Sequence, residues 1–364
     1  MRFSKLLFAF SIFLTFHLCL TSAQAQTQKG ILSDGRDFYI AQLTPSLNNC
    51  TQVHPYQSYW VLISSFYDCS VTVSYFKPDG TEVFTSSKQV MAKRGLQVLL
   101  DQSFMNPKDA NGIRINPLGQ TPEYTSCHIH STRPISVSFY STGPNSGSLY
   151  MALQTGALGK TYVIAAMPAD PGLGKATGFR ATCPDDSSSS AFAVIAVQDN
   201  TTVTITPNGL TRLGNVGVHC GQGAMGIPSP FGTTLNRGQV YWVKSTDDDL
   251  ANDLSGSIVQ ADHPVAVIAG CESAFNGETA ASVLSDEQRN MSVEQMIPVD
   301  FWTDKDYVSV PTAQDPNVDP SSNSAGNQYK IFTYNPGTKL TVSITNISPY
   351  LNVALDPFEC PPLT

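Results

Sequence analysis

Charge is scarce in this chain. Asp, Glu, Lys and Arg make up 14% of its 364 residues, no long run of Lys or Arg occurs, and the formal balance is −8. Holding nucleic acid by its phosphates needs clustered cations, so that class of partner is excluded. Beyond the N-terminus no stretch approaches the roughly 18 apolar residues of a membrane-spanning helix. Cysteines never pair as C-x-x-C, which removes the common zinc spacings. There is no G-x-S-x-G elbow and no H-E-x-x-H helix. His54, His128, His130, His219 and His263 sit in no recognisable triad context. No catalytic residue, metal ligand or cofactor is expected. An extracellular hydrolase with an unrecognised triad is the alternative, because triads are defined by geometry and not by order along the chain.

What the chain has in quantity is strand and turn residues. Gly (26) and Pro (24) accompany abundant Val and Thr, and the 41% hydrophobic content is enough for a packed core. That composition belongs to an all-β protein. The organising stretch is Ala191 to Gly209, AFAVIAVQDNTTVTITPNG. An apolar run, Phe192 to Val197, breaks at Asp199-Asn200 and resumes as Val203-Thr204-Ile205 with strict alternation. Pro207-Asn208-Gly209 ends it. Period-two alternation bounded by turn residues reads as a hairpin. The same pattern recurs from Trp60 to Val71 and from Tyr329 to Leu340, each copy spanning 11 positions. Copies start 132 and 137 positions apart, which indicates duplicated β units.

Other segments recur in the same order. Lys93-Arg94-Gly95 matches Asn236-Arg237-Gly238, each before a strand. Gly112-Ile113-Arg114-Ile115 matches Gly256-Ser257-Ile258-Val259. Arg133-Pro134-Ile135-Ser136-Val137 matches His263-Pro264-Val265-Ala266-Val267, with each proline expected at a strand entrance. Lys160-Thr161-Tyr162-Val163-Ile164 matches Lys305-Asp306-Tyr307-Val308-Ser309. Asn116 to Ser126 reads as an insertion. Polar stretches at 184–190 and 315–327 read as linkers. The expected architecture is two tandem, related β-sandwich-like units and a partial third repeat. A propeller-like closed arrangement of the same strands is the alternative.

Arg2 and Lys5, the apolar Leu6 to Leu20 and the small-residue site Ala23-Gln24-Ala25 form a secretory leader. The expected divisions are a signal peptide at 1–25, a first β unit at 26–186, a second at 187–314, and a linker with a partial third hairpin at 315–364. The product is expected outside the cell or at its surface. Seven cysteines remain after cleavage. In an oxidising compartment most should pair. Cys50 and Cys69 flank the first hairpin, 19 positions apart, and Cys183 and Cys220 bracket the second. Both pairs are expected as disulfides. Asn49, Asn200, Asn290 and Asn346 lie in N-x-S/T sequons and are candidate glycosylation sites.

Two clusters invite a metal reading. His128 and His130, at i and i+2 on a strand, share a face, but two ligands are too few and no carboxylate neighbours them in sequence. Asp247-Asp248-Asp249 with Asp253 does not follow the EF-hand spacing. Both are read as solvated surface.

With these residues in view, the chain resembles the IgGFc-binding protein N-terminal domain family. The resemblance rests on Gly35-Arg36-Asp37-Phe38-Tyr39, Leu158-Gly159-Lys160-Thr161-Tyr162, Gln198 through Ile205, Asp253-Leu254-Ser255-Gly256, Glu294-Gln295-Met296-Ile297-Pro298-Val299 and the Pro134 and Pro264 strands. It implies a secreted or surface-associated, non-catalytic binding or adhesion module. The ligand implied is an extracellular protein or glycan, and its identity is not. A structural matrix or mucus component is a further alternative. Family members tend to carry Cys-Asp-His-Leu just before the Glu-Gln pair, where this chain has Arg289-Asn290-Met291-Ser292. The resemblance therefore implies that Cys271 lacks its usual partner and is a free thiol.

Overall fold

A computed structural model of the chain describes residues 33–43, 58–107, 110, 119–142, 147–167, 189–211, 229–245, 253–274, 290–302, 330–335 and 337–339. Their regular secondary structure is nearly all strand. In chain order the strands are β1 (Asp34–Ile40), β2 (Ser58–Ser64), β3 (Cys69–Phe76), β4 (Glu82–Val90), β5 (Gly95–Leu99), β6 (Glu123–Tyr124), β7 (Cys127–Thr142) and β8 (Gly147–Met151). There follow β9 (Gly159–Val163), β10 (Ser190–Ala196), β11 (Thr201–Thr206), β12 (Phe231–Leu235), β13 (Gln239–Lys244), β14 (Ile258–Ala274) and β15 (Asn290–Gln295). One α-helical turn, α1 (Gln102–Met105), is capped by Asp101, whose carboxylate accepts from the Ser103 N–H, and Thr155–Ala157 and Val299–Phe301 form 3-10 turns.

These strands form two antiparallel sheets, which bears out the all-β reading. The first holds β1 to β5, β7 and β8; the second holds β6 and β9 to β15. Each is built on one long strand. β7 pairs with β3 through Cys127–Ser131 and with β2 through Ser136–Thr142, with β1 and β8 on its other side. β14 treats β11, β10, β9 and β15 in the same way. Pro134 and Pro264 sit inside these strands, not at their entrances. Each stands where pairing passes from one neighbour to the next and the register shifts. A residue without an N–H fits a strand interior only at such a gap in the ladder.

Aligning the two ladders on these prolines sets Val71 against Val203, as expected, but sets Phe192 against Val61 and not Trp60. From Val61 to Val71 is one residue shorter than from Phe192 to Val203. A one-residue slip turns a side chain to the other face of a sheet. Trp60 accordingly lies on the half-buried outer face while Phe192 is fully buried. β9 pairs with β14, so it opens the second sheet as β1 opens the first, and 186/187 falls between two strands of one sheet. The inserted segment supplies β6, which crosses over to pair with Gln239 and Val240 of β13.

The inner residues of the first sheet, such as Phe38, Val61, Val71, Val137 and Phe139, pack on Ala191, Ala193, Ile195, Val240, Trp242 and Ile268 of the second. The alternate residues of the same strands, Phe192, Val194, Tyr241, Val243, Val265 and Val267, belong to a second core. β10 is thus buried on both faces, which is why it reads as an unbroken apolar run without alternation. Among residues 330–339, Thr338 N–H donates to the Asn335 carbonyl in a turn, and Lys330–Tyr334 form no strand. The matches at Gly112–Ile115 and Lys305–Ser309, and Leu340–Val342, lie outside the described residues.

Candidate functional site

In each repeat the turn after the first hairpin strand is laced to the turn before the fifth strand. In the second repeat Asp199 accepts from the Arg237 N–H at 3.0 Å and the Ala196 carbonyl from the Gly238 N–H at 2.9 Å. In the first, Asp68 accepts from the Ala92 N–H at 2.7 Å and the Ser65 carbonyl from the Lys93 N–H at 2.7 Å. Lys93 (φ 61°) and Gly238 (φ 86°) share the left-handed conformation. The strand registers equate these two residues, so the match of Lys93-Arg94-Gly95 with Asn236-Arg237-Gly238 is two positions out.

The two tips have different surroundings. The second tip presses on the first repeat. A Cβ on Gly238 would lie 2.5 Å from the Phe76 ring, and the Arg237 guanidinium lies over that ring at 5.3 Å. Arg237 Nη1 donates to Glu82 Oε2 at 2.8 Å and to the Tyr39 hydroxyl at 3.3 Å. Glu82 in turn faces His128 Nδ1 at 2.7 Å, and His128 Nε2 faces Asp37 at 3.1 Å. His130 Nδ1 reaches the same Asp37 oxygen at 2.9 Å. The His128 ring stacks on Tyr39 at 4.5 Å. His128 thus has a carboxylate within hydrogen-bonding distance of each ring nitrogen.

Burial works against ionisation of Asp37, and hydrogen bonds and charge from His130 and His128 overcome it, holding its carboxyl below the usual range. Burial likewise opposes Glu82, and hydrogen bonds from Ser74, His128 and Arg237 carry its carboxyl below the usual range. Here the sequence reading needs correction. His128 and His130 do share a face, but they are not alone there. Asp37 and Glu82, 91 and 46 positions from His128, are delivered by the β1–β7 and β3–β4 ladders.

A cleft of about 500 Å³ opens beside this cluster, lined by Asp37, Tyr39, His128, Thr155, Gln198 and Arg237 among others. The Ser74 hydroxyl is buried and donates to Glu82 at 2.5 Å, not to an imidazole. The Cys127 thiol is buried, and burial pushes its pKa up. The cluster therefore presents fixed charge and hydrogen-bonding groups to the cleft, with the Ser74 hydroxyl and the Cys127 thiol both buried.

The first tip faces outward. Phe66, Tyr67 and Met91 are 75%, 57% and 59% exposed. Sequence reasoning passed over them, although a Phe-Tyr pair in a turn between two strands is itself a signal. Of the residues it singled out, Cys69, Cys127 and Cys271 are each buried. Cys50, Cys183 and Cys220 lie outside the described residues, as do Asn49, Asn346 and Asp247–Asp249. Asn200 is exposed in the β10–β11 turn and Asn290 opens β15. Asp253 accepts from the Ser255 N–H and from Lys330 Nζ.

A family model described as IgGFc binding protein matches residues 148–354. The chain belongs to this family. The matched span runs from β8 through the whole of β9 to β15 and on past Lys330. The first sheet, where the resemblance read from Gly35 began, lies mostly before it and repeats the same topology. No curated protein matches the chain. The family is one of extracellular binding domains, and among the described residues no helix is long and apolar enough to cross a membrane.

Proposed function

We propose that this IgGFc-binding-family chain is a secreted or surface-held, non-catalytic binding and adhesion module whose ligand is an extracellular protein. The observation that carries this is the outward tip of the first repeat. Phe66, Tyr67 and Met91 place two aromatic rings and a thioether in water on a braced turn. Aromatic and Met side chains of this kind are the usual anchors of protein interfaces, and loops on a rigid β scaffold are where such contacts gather. Its counterpart in the second repeat already makes a protein contact, with the first repeat. A fold shared with an Fc-binding member does not transfer that ligand.

The test is capture of partners by the immobilised mature chain from arrays of immunoglobulins, mucins and glycans. A protein should be retained by the native chain and lost when Phe66, Tyr67 and Met91 are all replaced by Ser. Retention of a glycan alone, or binding indifferent to the triple replacement, overturns the assignment.

A further inference from the structure

The outer face of the first sheet carries a second surface, apart from the tip. Across β5, β2, β7 and β8 the ladders align Leu99, Trp60, Tyr140 and Leu149 in one row. The next row aligns Gln97, Leu62, Ser138 and Met151. Leu62, Leu99, Leu149 and Met151 are each 44–55% exposed, and the Trp60 and Tyr140 rings lie 6.2 Å apart within 9° of parallel. Beyond these rows, at the two ends of the β2–β7 ladder, stand Ser58 with Thr142 and Ser64 with Ser136. No Asp, Glu, Lys, Arg or His occurs in β2, β5, β8 or Ile135–Thr142. This is an apolar centre with a polar rim that holds one carboxylate, Asp34, hydrogen-bonded to Ser136, the anatomy of a protein interface.

The second sheet shows what happens at the same place there. Its matching row is Lys244, Ala191, Gly270 and Val293, all buried beneath the first sheet or at its margin. Ala and Gly let one sheet settle closely over another. Trp, Tyr and Leu do not, so the first sheet's outer face suits a flat partner at the spacing of about 10 Å between sandwiched sheets.

We propose that this face is covered by the same face of a second copy, forming a two-fold dimer. Two observations select that partner. The row Leu99, Trp60, Tyr140, Leu149 is a palindrome: aliphatic, aromatic, aromatic, aliphatic. A two-fold axis running along the strands between β2 and β7 sets Leu99 of each copy against Leu149 of the other and aromatic against aromatic, as an isologous interface requires. The second is charge. Copies of a chain with a balance of −8 repel one another, and this area, with uncharged strands and a single rim carboxylate at Asp34, lets two of them meet with little opposing like charge.

Analytical ultracentrifugation of the mature chain at micromolar concentration should show a dimer. Leu149→Glu, or Leu99→Glu, should raise its dissociation constant at least about 30-fold, the weight of one interface hot spot. Phe84→Glu, exposed on β4, should leave it unchanged. Mixing Leu99→Glu with Leu149→Lys should restore association between the two variants, because the axis opposes those positions. Circular dichroism confirms that each variant is folded, and Leu149→Gln replaces any that is not. A monomeric native chain overturns the proposal. So does a dimer indifferent to Leu149→Glu, or mixed variants that stay apart.

Discussion

Ser65–Asp68 and Val197–Asn200 are the same turn in two repeats, and they point to opposite ends of this molecule's business. Both are tied to their neighbouring turn through an aspartate, Asp68 or Asp199, in the same way. Where the second repeat has Arg237 the first has Ala92, and where the second has Val197 and Gln198 the first has Phe66 and Tyr67. One tip is spent inside the molecule, against Glu82 and Phe76; the other is left to the outside. The lesson is that the ladder is preserved where it carries hydrogen bonds, and the repeats diverge where side chains are free of it.

The comparison can be broken most severely at a single strand position. Gly270 and Tyr140 are equivalent, yet a Cβ on Gly270 would lie 1.8 Å from the Ser292 carbonyl oxygen. Gly270→Ala should cost at least about 3 kcal/mol in thermal or urea unfolding, because backbone must move. Tyr140→Ala, at the equivalent place, should cost far less.

Next come the core positions. Phe192→Ala should cost roughly 3–5 kcal/mol, as for a fully buried ring. Trp60→Ala should cost clearly less, since its neighbour Val61 and not Trp60 occupies the matching inward place. Equal losses would mean the registers have been misassigned. Smaller still is the junction. Arg237→Ala should cost about 1 kcal/mol, a modest figure because Arg237 is 37% exposed and solvent screens it. A double-mutant cycle with Glu82→Gln would isolate that pair.

Acid should separate the repeats' contact in the same sense. The Asp37 and Glu82 carboxyls titrate below their ordinary values in the folded chain. Their contribution is therefore complete above the unfolded values, about pH 4, and is lost as pH falls through the lowered native ones. Unfolding curves should hold steady down to about pH 4 and drop below it, with a shallower acid limb in Glu82→Gln. Least of all, Phe66→Ser and Tyr67→Ser should change stability by under about 0.5 kcal/mol, as exposed surface positions do. A larger loss would show that this tip, too, is structural.

Much of the fold was legible because period two is written plainly wherever one face is buried. Val203-Thr204-Ile205 and Val71-Thr72-Val73 announce their strands, and the unbroken Ala191–Ala196 run announces a strand covered on both sides. β4 was not legible, because EVFTSSKQV sits at a sheet edge, largely exposed, with little apolar pattern to read. The span of β7 and β14 was hidden by prolines that normally end strands. The charged cluster was illegible for another reason: nothing local links Asp37 to His128, 91 positions away, until a ladder closes between them. The slip between Trp60 and Phe192 shows the limit of spacing alone, since a turn one residue shorter keeps the pattern and changes the face.

β6 has a consequence for how such a protein can evolve. It is two residues of the first repeat's chain lent to the edge of the second repeat's sheet. A genetic exchange between β8 and β9 that passed on the second repeat alone would leave β13 with a bare edge. The same exchange would put Ala191, Ile195, Val240 and Trp242 in water, an adhesive face that aggregates before it folds. Each repeat therefore closes a surface of the other, and expressing residues of the second repeat alone should expose both the β13 edge and this apolar face.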